Sequence, residues 1–165
     1  YKRQLLTNGR LMLGFLITAL GYGGTFVAFT YLTPIMQDVT KISPSLISII
    51  LLVYGIAVAI GNTVGGKLAN GNPIKALFYM FIIHAIVMIA LSFMIPFKVA
   101  GIIGIILMGL LAFMNVPGLQ LYIVQLAEKY VPAAVDVASA LNIAAFNIGI
   151  ALGATIGGLV TDCLL

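Results

Sequence analysis

Seven side chains set within long apolar runs have the types to bind a polar solute: Tyr22, Phe26, Tyr31, Asn115, Gln120, Asn142 and Asn147. A carboxamide carries donors and an acceptor without charge. Surrounded by hydrocarbon it must pair, either with a neighbouring helix or with a solute in a water-filled cavity. Both readings stand for each amide, and for Asn62 as well. Asn115 is the better solute candidate, because Pro117-Gly118 would break its helix, and free backbone carbonyls are tolerated only beside a cavity or a protein neighbour. Asn142 and Asn147 are five residues apart and cannot closely share one helical face. The aromatic residues could line the same cavity, or serve as packing and membrane-interface anchors.

Ionisable groups are placed differently. Asp38, Glu128, Asp136 and Asp162 all fall at the ends of apolar runs, and His84 alone sits in the middle of one. An imidazole there could carry a proton, but hydrogen bonding to a neighbouring helix or a backbone carbonyl is the favoured reading. No nucleophile stands with a base, and no ligand cluster has metal spacing, so no catalytic residue, metal or cofactor is expected. The single cysteine, Cys163, excludes an intrachain disulfide and reads as an apolar filler near a helix end. Gly61-Asn-Thr-Val-Gly-Gly-Lys67 has a superficial phosphate-loop look, but it lies within an apolar run and Leu68 follows where Ser or Thr is required. A nucleic-acid partner is not expected.

The elements that position these groups follow from composition. Hydrophobic residues make up 62% of the chain and charged residues 7%, against about 25% charged in a soluble domain. The solvent for such a chain is a lipid bilayer. Residues 1–10 read as a basic juxtamembrane segment. Five spans follow, over about 11–36, 46–68, 74–95, 99–126 and 135–160, separated by polar or proline-containing turns at 37–45, 69–73, 96–98 and 128–132. Each is long enough to cross about 30 Å of hydrocarbon at 1.5 Å per residue. Pro34 should bend or end the first span, Ser43 or Ser45 should cap the second, and Pro117-Gly118 should interrupt the fourth. With the amino end in the cytoplasm, Lys2, Arg3, Arg10, Lys67, Lys75 and Lys129 lie inside and only Lys41 and Lys98 outside, which favours that orientation.

The chain also repeats itself. Residues 54–70 (YGIAVAIGNTVGGKLAN) align without a gap with 146–162 (FNIGIALGATIGGLVTD) at an offset of 92, with six identities. Both copies carry small residues four apart: Ala57, Gly61 and Gly65 in one, Gly149, Gly153 and Gly157 in the other. On a helix this makes a smooth stripe for close backbone approach. The span assignment makes the two copies antiparallel, and inverted repeats are a signature of secondary transporters. A three-helix unit repeated in this way would need a sixth helix after Asp162, so the segment is expected to be part of a longer chain.

Tyr31-Leu-Thr-Pro-Ile35, the run Gly61–Asn70 with Lys75, Asp136, and Ala138-Ser-Ala-Leu-Asn-Ile-Ala-Ala-Phe-Asn-Ile-Gly149 together resemble the carboxy-terminal half of a major facilitator superfamily transporter. The drug:proton antiporter group and the arabinose-efflux-like permeases are the nearest in pattern, and the resemblance covers essentially the whole chain. It implies an all-α membrane protein whose five transmembrane helices are helices 7–11 of a twelve-helix fold. Gly66, Leu68, Ala69 and Lys75 match the echo of the family's cytoplasmic loop motif. Asn70 stands where an acid is expected, and Gly71 and Ile74 where arginines are, so the glycine packing of that motif can carry over but its charge network does not. The resemblance implies proton-coupled efflux of a small solute (a sugar, nucleoside or drug-like molecule) by alternating access. It further implies an inner-membrane location, with the missing amino-terminal six-helix half as partner and that half supplying any coupling acid. Import of a sugar-like solute is the other direction open. The alternative from another class is a self-contained structural or assembly subunit that pairs through its glycine stripes.

Overall fold

Asparagines open two of the long helices. In the computed structural model, which describes residues 2–164 and the side-chain surroundings of 3–160, Asn8 Oδ1 accepts from the backbone N–H groups of Arg10 and Leu11 at 3.1 and 3.3 Å. Asn72 Oδ1 accepts from Lys75 N–H at 3.0 Å. Such caps satisfy N–H groups that the helix leaves without a partner. The readings made for Lys2, Asp162 and Cys163 as side chains lie outside the described residues.

The helices are α1 (Lys2–Thr7), α2 (Gly9–Phe29), α3 (Leu32–Pro34), α4 (Pro44–Ala69), α5 (Pro73–Met94), α6 (Lys98–Tyr130) and α7 (Val135–Leu164). A π-helical stretch, Ile35–Val39, follows α3, and a 3₁₀ turn, Pro132–Ala134, precedes α7. Five segments among the described residues are long and apolar enough to cross a membrane: Gly9–Val39, Pro44–Ala69, Pro73–Met94, Lys98–Tyr130 and Pro132–Val160. Large apolar side chains such as Leu52, Ile89 and Phe93 stand outward on them, as lipid-facing helices require.

Several boundaries differ from the sequence reading. Residues 1–10 contain a helix, α1, whose Leu5 is fully buried among Leu11, Phe15, Ile123, Ala127, Val131 and Ala138. The first span breaks at Thr30–Tyr31, before Pro34. Pro34 sits at the end of a short helix that continues into the π-helical turn, so Gln37–Val39 are helical and the loop shrinks to Thr40–Ser43. Ser43 does flank α4, with Pro44 at its first position, but its side chain makes no capping bond. The fourth span is not interrupted: α6 runs through Pro117 and on to Tyr130. A proline costs a helix one N–H donor and crowds the preceding turn, and here the flanking apolar turns keep the helix going on both sides.

The chain forms two compact units. One contains the residues up to Thr30 together with those from Leu119 onward, and the other spans Tyr31–Gly118. In the first, α2 packs on α7 and on the end of α6. Arg10 donates to the Tyr130 hydroxyl, and its guanidinium also lies over the Tyr130 ring, 5.1 Å from the centroid. In the second, α4 and α5 pack with α6 up to Gly118. The turn after the π-helix is tied by Thr40 Oγ1, which donates to the Ile95 carbonyl at 2.9 Å. Lys41 takes a left-handed conformation there, with φ of 56°.

Candidate functional site

The glycine stripes are occupied within each unit. A Cβ placed on Gly61 or Gly65 would be driven into the backbone carbonyls of Leu110 and Met114 on α6. One on Gly149 or Gly153 would be driven into those of Ala19 and Gly23 on α2. Reciprocally, a Cβ on Gly23 would come within 2.9 Å of the Gly149 carbonyl oxygen. Only glycine allows helices this close. Gly157 is buried in the same row. These stripes are therefore filled by helices of this chain, and the alternative in which they pair separate subunits gives way to packing inside each unit.

The sequence repeat is thus matched contact by contact. Gly61 and Gly153 each seat a partner carbonyl. The Tyr54 ring packs against Gly109, and the ring of its counterpart Phe146 meets Tyr22 edge-on at 5.0 Å. Thr63 Oγ1 donates to the Ala59 carbonyl at 2.9 Å, and Thr155 Oγ1 to that of Ala151 at 2.8 Å. The offset is 92 along the stripe helices and 87 along their partners, from Leu110 to Gly23 and from Gly109 to Tyr22. That second offset is invisible in the sequence, because the partner helices share no residue pattern.

Polar side chains inside the spans fall into two groups. In the first unit, Gln120 on α6 donates to Ser139 on α7, and Asn142 Nδ2 donates back to Gln120 Oε1 at 2.8 Å. Asn142 is fully buried, and its Oδ1 has no partner among the described residues. Asn147 instead faces outward, with Nδ2 on the Ile143 carbonyl of its own helix at 3.0 Å. Tyr22 and Phe26 form an aromatic pair, with centroids 5.0 Å apart. In the second unit, Asn115 Nδ2 and His84 Nδ1 lie 3.3 Å apart, and His84 also bonds the Leu111 backbone. Both residues are buried. Tyr31, half-buried, precedes α3 in this second unit.

The structure thus joins Gln120 to Asn142 and places Asn115 with His84. Ser139 was missed by sequence reasoning, although its spacing of three from Asn142 on a helix was a usable signal. His84 has a neighbouring helix as partner, the reading favoured from the sequence. The helix break proposed beside Asn115 is absent, so exposed carbonyls no longer mark it as the solute contact.

The loop-motif residues divide by role. Ala69 is fully buried, and it lies with Leu77 around Gly118. Gly66 faces the Pro117 ring. Leu68, Asn70 and Lys75 are exposed. Gly66 and Ala69 thereby give α4 a small-residue seat for the Pro117-Gly118 turn of α6. Among the described residues no group of His, Cys, Asp and Glu could hold a metal.

Five apolar helices, close glycine-to-backbone crossings and buried uncharged polar clusters define a multi-pass membrane protein. The profile of the Major Facilitator Superfamily matches residues 1–154, and the chain belongs to that superfamily. It is 65% identical over 161 residues to the "Uncharacterized MFS-type transporter YtbD" of Bacillus subtilis (strain 168), covering 98% of this chain and 41% of that protein. It is 32% identical to the "Inner membrane transport protein YdhP" of Escherichia coli (strain K12), over 96% of this chain and 40% of that one. It is 30% identical to a "Probable sugar efflux transporter" of Helicobacter acinonychis (strain Sheeba), over 94% and 39%. The chain thus spans about two fifths of the length of the curated relatives it matches. No solved structure matches. The relatives are transporters and not enzymes, as the residue types led us to expect.

Proposed function

We propose that this chain forms helices 7–11 of a twelve-helix secondary transporter that expels a small hydroxyl-rich solute, such as a sugar, by alternating access. The observation that carries the reading is the Gln120–Ser139–Asn142 cluster. It links two spans with uncharged groups only, and the buried Asn142 oxygen is left as an acceptor. Groups of this kind suit hydroxyls, which both donate and accept, and they exclude neither orientation of a sugar ring. The "sugar efflux" name of some relatives supports the same class.

In this reading Tyr22 and Phe26 supply apolar faces for the solute, Asn147 lies at the opening, and Asn115 serves to attach α5 to α6. The repeated units rock against an amino-terminal six-helix half. The coupling ion is the proton, carried by an acid of that other half. The amino end of this segment lies on the cytoplasmic side of the cell's inner membrane, in keeping with the lysine and arginine distribution.

The test is substitution in the full-length protein. Asn142→Leu and Gln120→Leu should each lower sugar efflux at least tenfold at equal protein level, while Asn115→Leu should leave the solute preference unchanged. Normal efflux in both α6–α7 variants would remove the cluster from the pathway.

A further inference from the structure

One end of the second unit carries a groove that nothing in the transport reading uses. Its volume is about 380 Å³, and it is lined by Asn72, the cap of α5, by Lys75, Tyr79 and Ile83 of α5, and by Leu111 and Met114 of α6. From Asn72 to Ile83 the groove runs about 16 Å along α5, at 1.5 Å per residue. That is about half of a 30 Å hydrocarbon core, the depth of a single leaflet. Asn72 and Lys75 stand at one end, and beyond them the lining is apolar apart from Tyr79: Met80, Ile83, Leu111 and Met114. Tyr79 and Ile83 stand open to the surroundings, 54% and 50% exposed, whereas Met80 closes the floor.

Size and charge narrow the occupant. A hydrocarbon chain, about 4–5 Å across at van der Waals contact, needs roughly 250 Å³. At the polar end, Lys75 is joined by Lys67 in the last turn of α4. The only carboxylate in this unit is Asp38. It lies at the other end, where Thr40 is bonded to Ile95 beyond the end of α5. Neither lysine has an ion-pair partner among the described residues. A lysine near a membrane surface favours anionic lipid by about 1 kcal/mol, about fivefold.

We propose that this groove binds one anionic phospholipid from the leaflet at the Asn72 end. An acyl chain lies along Tyr79, Ile83, Leu111 and Met114, and the phosphate meets Lys75. The inference requires the chain to sit in a bilayer and does not depend on what the protein transports.

The segment has no tryptophan, so a reporter can be placed at will. In the full-length protein with its other tryptophans replaced, Tyr79→Trp puts an indole in the groove. Phe78→Trp puts one on the same turn of α5, outward and outside the lining. Reconstitution is into vesicles of phosphatidylcholine and phosphatidylglycerol, with either lipid brominated as quencher. The expected result for Tyr79→Trp is about a fivefold preference for quenching by brominated phosphatidylglycerol, falling to near unity when Lys75→Gln is added. The Phe78→Trp protein should show no preference. Three results for the Tyr79→Trp protein would each overturn the proposal: equal quenching by both lipids, a preference that survives Lys75→Gln, or no quenching by either lipid because protein covers the groove.

Discussion

Gly61 and Leu110 meet backbone to backbone: a single methyl group on Gly61 would collide with the Leu110 carbonyl oxygen. Gly153 stands in the same relation to Gly23 in the other unit. In a bilayer, where hydrophobic burial does not drive helices together, such close van der Waals contact supplies much of the attraction. Gly61→Leu and Gly153→Leu should therefore each cost at least the 1–3 kcal/mol or so of an overpacked core. The full-length variants should show a lowered unfolding temperature in detergent and reduced membrane yield. Gly55→Leu, at an open position of the same helix as Gly61, should be neutral. Equal behaviour of Gly55→Leu and Gly61→Leu would show that the stripe does not hold α4.

The Asn115–His84 pair should behave as an attachment between helices. Interhelical hydrogen bonds in membranes contribute about 0.6 kcal/mol on average and up to about 1.7. A double-mutant cycle with Asn115→Leu and His84→Phe, read by thermal unfolding, should give a coupling within that range. Efflux per folded molecule should stay near that of the parent. Loss of solute flux in Asn115→Leu at unchanged stability would return Asn115 to the transport pathway.

Lys41 holds a left-handed backbone conformation that costs a residue with a Cβ about 1–2 kcal/mol. Glycine adopts it without that cost but loses more freedom on folding. Lys41→Gly should be neutral to stabilising by up to about 1 kcal/mol, seen as an unchanged or raised unfolding temperature, whereas Lys41→Val should lower it. Lys41→Gly destabilising as much as Lys41→Val would count against the conformation.

Much of this architecture could be read from the residues alone. The five spans follow from apolar runs long enough to cross hydrocarbon, and the glycine stripes from a spacing of four within a visible repeat. What stayed hidden has physical causes. Leu5 looked like part of a polar segment because six residues are too few to show periodicity, and its burial is decided by distant residues such as Ile123. Pro117 reads as a breaker by local rules, yet Gly66 and the turns around it accommodate the ring. The partners of the buried amides were undetermined because pairing across helices depends on rotation and register, which a chain hydrophobic on nearly every face does not encode. Ser139 was legible only through its spacing of three from Asn142; its bond to Gln120 on α6 was not.

Orientation rests on lysine placement and can be checked by accessibility. Within the second unit, Lys67 and Lys75 stand at one end, and Lys41 and Lys98 at the other. Lys75→Cys should react with an impermeant maleimide only after the cytoplasmic face is opened, and Lys98→Cys should react in intact cells. The reverse pattern would invert the proposed topology.

The most direct measurement is flux by the purified full-length protein in liposomes. Vesicles with an acidic lumen would be given radiolabelled monosaccharide outside, so that antiporters inserted with their cytoplasmic face outward exchange internal protons for external sugar. The expected result is accumulation above the level in empty vesicles, abolished by a protonophore and strongly reduced by Asn142→Leu. Equal uptake in protein-containing and protein-free vesicles, with the gradient intact, would contradict it.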